Sequence, residues 1–99
     1  MMNIQAILNI DLLGEPTPRQ KKNFYQELSC RSWKEVPHAE NKRLVAFDNI
    51  YSDEEAIERI KRNLSEVAAM TEIFKYSAIV HFPESNLVVF FCGQNEGNA

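Results

Sequence analysis

Between Ile4 and Leu12 the side chains alternate with period two. Ile4, Ala6, Leu8, Ile10 and Leu12 fall on one side, and Gln5, Ile7, Asn9 and Asp11 fall on the other. A segment patterned in this way is a strand with one buried face. Gly14-Glu15-Pro16 ends it. Thr17 then offers an N-cap, Pro18 suits the first helical position, and Gln20 completes a capping box. Phe24, Tyr25 and Leu28 form the apolar stripe of that helix, which is expected to stop near Ser29 or Cys30. Arg19, Lys21 and Lys22 lie near its start and oppose the helix dipole.

Trp33 to Val36 reads as a short strand closed by Pro37, His38 to Lys42 as a polar turn, and Arg43 to Asn49 as the second strand of a hairpin. Ser52-Asp53-Glu54-Glu55 is a second capping box, with its acids at the positive end of a helix. Ile57, Ile60, Leu64 and Val67 follow on one face, Glu58 and Arg62 form an outer i,i+4 pair, and the helix is expected to reach about Met70. Tyr76 to Phe82 reads as a strand, Pro83 to Asn86 as a turn, and Leu87 to Cys92 as a last strand, apolar on both faces.

This order is strand, helix, strand, strand, helix, strand, strand. Its first six elements match the split βαβ arrangement. The expected fold is therefore α+β: a ferredoxin-like βαββαβ unit with an extra C-terminal strand. Right-handed crossovers place both helices on one face of an antiparallel sheet whose first and third strands are central. A chain of 99 residues forms one domain, expected over residues 1–92, with a flexible tail over 93–99.

The final strand constrains the surface. One helical layer cannot hide Leu87, Val88, Val89, Phe90 and Phe91 together, and an exposed apolar strand is an aggregation hazard. A homodimer is the simplest cover. Leu87, Val89 and Phe91 are its expected contact residues, with Trp33 as an anchor or as cover for one end of the core.

Charge narrows the function. A net charge of −3 and a pI near 5.3 argue against a dedicated nucleic-acid binder. Arg19, Lys22 and Arg43 are the residues that would serve a local phosphate contact, and a solvated helix face is the plainer reading of the first two. No apolar run is long enough to span a bilayer, and the N-terminus lacks the features of a signal peptide, so a cytoplasmic location is expected. Cys30 and Cys92 do not make a disulfide framework; Cys92 reads as a small buried hydrophobe.

Chemistry is sparse. There is no GxSxG elbow, GxGxxG turn or Walker loop, so nucleotide-cofactor enzymes are disfavoured. His38 and His81 are the two histidines and have no partner at metal-ligand spacing. Asp11, at the end of the first strand, is the single candidate ligand for a hard cation such as Mg²⁺ or Mn²⁺. Its plainer reading is an ion pair with Lys42 or Arg43, or bonds to loop amides. Otherwise no cofactor is expected.

Asn9-Ile10-Asp11 closing strand one, the cations Arg19 and Lys22 opening a helix lined by Phe24 and Leu28, and the terminal fifth strand together carry a likeness. In element order, over residues 4 to 92, the chain resembles the small ferredoxin-like CRISPR adaptation proteins and the related interferase toxins and antitoxin ribonuclease. The resemblance implies dimerisation through the sheets and a metal-ligating role for Asp11. Ser32-Trp33-Lys34-Glu35-Val36 departs from that group's strand signature, as does the acidic net charge.

The sequence thus points first to a small dimeric interaction or regulatory protein with no catalytic set. A metal-dependent ribonuclease using Asp11 and a small-molecule-binding dimer are the alternatives.

Overall fold

A computed structural model of the chain describes residues 2–94. The elements are β1 (Met2–Leu12), α1 (Pro18–Cys30), β2 (Lys34–Val36), β3 (Ala39–Ile50), α2 (Asp53–Thr71), β4 (Lys75–Phe82) and β5 (Leu87–Gln94). The strands form a single five-stranded sheet in the order β2-β3-β1-β4-β5, with every neighbouring pair antiparallel. The protein is α+β.

The period-two pattern of β1 decides which face is covered. Ile4, Ala6, Leu8 and Ile10 are buried. In register beside them stand Val45 and Phe47 of β3 and Ala78 and Val80 of β4. These side chains share one core with Phe24 and Leu28 of α1 and Ile60, Leu64 and Val67 of α2. The other face of the sheet has no helix packed on it among the described residues.

Both helices begin at their expected N-caps, but only α1 closes a capping box. The Gln20 N–H donates to Thr17 Oγ1 (3.1 Å), and the Thr17 N–H donates to Gln20 Oε1 (2.8 Å), closing the box. The Glu55 N–H donates to Ser52 Oγ at the start of α2, and Glu55 Oε1 accepts from the Tyr51 N–H. The ion pair on the outer face of α2 is Glu55–Arg59 at 3.3 Å rather than Glu58–Arg62. Arg31 caps α1 and ties it to α2, donating through Nη1 to Asn63 Oδ1 (2.8 Å) and Glu66 Oε1 (2.7 Å).

Three local expectations are corrected. First, β3 begins at Ala39, four residues before Arg43, so the turn is only Pro37-His38. Proline fixes the first turn position, and His38 takes a left-handed φ of 62° at the second. Asn41 and Lys42 are polar because this end of β3 is a solvated strand, with Lys42 opposite Asn9. Second, β5 continues through Gly93 and Gln94, two residues into the expected tail. Gly93 faces Tyr76 across the ladder, where an added Cβ would fall on the tyrosine ring. The rest of that tail, 95–99, lies outside the described residues. Third, Cys92 is exposed rather than buried, since its cross-strand partner Ser77 lies on the uncovered face. Cys30 is exposed as well, and both thiols are free.

Candidate functional site

Two surfaces could act. The first is the uncovered face of the sheet. Cross-strand register builds it in rows: Leu44, Ile7, His81 and Val88 form one, and Lys42, Asn9, Ile79 and Phe90 form the next. Ile79, Val88 and Phe90 are 44, 60 and 63% exposed, and Ile7, Leu44 and His81 are half-buried by their neighbours. The result is an apolar patch centred on β4 and β5, with one histidine inside it. Patches of about 300–600 Å² are the largest on typical monomers and are often functional.

The expected contact residues lie mostly on the other side of β5. Val89 and Phe91 pair with Val80 and Ala78 and pack into the helix-covered core. Leu87 is partly exposed at the strand's start, and Trp33 is buried, its backbone N–H donating to the Leu28 carbonyl at 3.1 Å. β5 is apolar on both faces, so period two could not say which set faced the helices. Only the register with β4 does.

The second surface is a cleft of about 970 Å³ between α1 and the β2–β3 hairpin. Lys21, Lys22 and Tyr25 line it from the helix, and Glu35, Pro37, His38 and Arg43 from the hairpin. Of the three cations singled out for phosphate contact, the fold brings Lys22 and Arg43 together here. Arg19 is exposed on α1 and does not line the cleft.

Arg43 is 2% exposed. Its guanidinium lies 4.5 Å from the centroid of the Tyr25 ring, Nη1 donates to the Lys42 carbonyl at 2.8 Å, and Nη2 is 3.9 Å from Glu35 Oε1. Glu35 is largely exposed, so this ion pair is worth little. The burial of Arg43 was legible in principle: it shares parity with Val45 and Phe47, and parity assigns it to the covered face opposite Leu8.

Asp11 is exposed at the end of β1, opposite Ser77, and lines a depression of about 290 Å³ with Lys21, Tyr25 and Asn41. It has no ion pair with Lys42 or Arg43 among the described residues. Among those residues no group of three or more His, Cys, Asp or Glu side chains is placed to hold a metal ion. Among the described residues no helix is long and apolar enough to cross a membrane. His38 stands in the hairpin turn beside the cleft and His81 on the uncovered face, so the two histidines serve different surfaces.

No family model, curated protein or solved structure matches the chain.

Proposed function

We propose that this protein is a small binding module without chemistry of its own, whose uncovered sheet face pairs with a second copy of the chain. The observation that carries the proposal is the exposure of Ile79, Val88 and Phe90 side by side in a β-ladder. The order β2-β3-β1-β4 supports a ferredoxin-like sheet, and β5 adds Val89 and Phe91 to the helix-covered side while it widens the open face on the other.

Geometry bounds the strength of such a dimer. Four gaps of about 4.8 Å and strands of about eight residues give a face of about 500 Å². A standard interface takes about 800 Å² from each partner, so the open face supplies the apolar centre and the side chains around it must supply the rim. A reversible dimer in the micromolar range is the expected result. Two-fold pairing of one patch with itself also closes the assembly.

Sedimentation equilibrium tests the reading directly. A monomer–dimer equilibrium at micromolar concentration is expected. A single monomeric species up to the highest soluble concentration would overturn it.

A further inference from the structure

The cleft between α1 and the β2–β3 hairpin is a second site, independent of the sheet face. Its charge runs against that of the whole chain, which has 14 acidic and 11 basic residues. Among the described lining residues the strong cations are Lys21, Lys22 and the buried Arg43, and the acid is the exposed Glu35. The helix that forms one wall adds to this field. Its first turn holds no acid, although α2 places Asp53, Glu54 and Glu55 in the same position. Lysines next to the positive end of a helix dipole cost stability. A local rule broken in this way, beside a cleft, marks a place shaped for something other than folding.

The rest of the lining is not a bare phosphate cradle. Tyr25, Val36, Pro37 and Ala39 give the cleft an apolar wall next to its cations. Arg43 is held against Tyr25 and the Lys42 carbonyl, so its charge is fixed in place before any ligand arrives. Pre-positioned donors lose little entropy on binding. Two exposed lysines at the rim and one fixed guanidinium in the wall suit a doubly charged anion.

We propose that this cleft binds a phosphomonoester carried on a planar or apolar group, the chemistry of a nucleoside monophosphate. The phosphate meets Lys21 and Lys22, and the ring lies along the wall of Tyr25 and Pro37.

The test is an amide-resolved NMR titration of the full chain with adenosine monophosphate, adenosine and inorganic phosphate as separate probes. Saturable shifts at Lys21, Lys22, Tyr25 and His38 are expected with the monophosphate, at lower concentration than with either fragment. The charge reversals Lys21→Glu and Lys22→Glu sit on exposed positions, so the fold survives them. Together they should weaken the monophosphate at least about tenfold, the scale of one lost charge-assisted hydrogen bond. Absence of saturable shifts in the cleft would overturn the proposal. So would equal affinity for adenosine, which removes the role of the anion, or equal affinity for inorganic phosphate, which removes the role of the wall. Unchanged affinity in the double reversal would overturn it too.

Discussion

Phe90→Lys separates the stability of the single chain from its association. Phe90 is 63% exposed and lies beside Ile79 on the uncovered face. A phenylalanine carries about 200 Å² of surface, so about 125 Å² of this one remains to be buried by a partner. At about 25 cal/mol per Å² that is ~3 kcal/mol for each copy. A two-fold contact counts it twice, while the lysine stem still covers part of the same area. A net loss of about 3 kcal/mol raises the dissociation constant by more than about 100-fold. Folding of the monomer should change by less than about 1 kcal/mol, because lysine keeps the aliphatic contact with Ile79 and the replaced ring is mostly in water already. Sedimentation equilibrium gives the first quantity, and urea unfolding at a concentration where both proteins are monomeric gives the second. A variant that dimerises as strongly as the parent refutes the assignment of the face. A variant that loses several kcal/mol of folding stability refutes the claim that Phe90 is outside the core.

Three further perturbations test how the fold is held. Gly93→Ala places a methyl group on the Tyr76 ring; an overpacking cost of about 1–3 kcal/mol is expected in urea unfolding, and a neutral result would mean that β5 does not cross Tyr76 as described. Glu72→Gly should raise stability by about 0.5–1 kcal/mol, since Glu72 ends α2 at a left-handed φ of 60° that glycine adopts without strain; a lower melting temperature would contradict this. Thr17→Ala removes the hydroxyl that accepts from the Gln20 N–H and should cost about 1 kcal/mol, measured by thermal unfolding, with Thr17→Ser restoring most of it.

Both helices and the paired segments of β1 and β4 were legible because each carries a single strong signal. Thr17 and Gln20, and Ser52 and Glu55, announce helix starts, and Ile57, Ile60, Leu64 and Val67 give a period that only a helix satisfies. The sequence reading starts β3 late because Glu40, Asn41 and Lys42 have the composition of a turn; what holds this end in the sheet is the pairing of Lys42 with Asn9 of β1 and of Ala39 with Val36 of β2, a tertiary effect. Arg43 shows the opposite failure. Its charge suggested a surface, whereas its parity with Val45 and Phe47 placed it inside, and the ring of Tyr25 from another element makes that placement tolerable. The cleft could not be read from one segment, because Lys21 and Lys22 on α1 and His38 in the hairpin turn meet only after the β2–β3 hairpin packs beside α1.

The two borders of the sheet are unlike. β2 has only three residues, Lys34, Glu35 and Val36, and is followed by Pro37, all of which discourage strand addition. β5 presents Leu87–Gln94 without a charge or a proline. The β5 border is therefore more open to an added strand than β2, in a direction separate from the face-to-face pairing proposed above. A charge placed in β5 would guard that border against aggregation, whereas shedding Pro37 and the charges of β2 would open the opposite border as well.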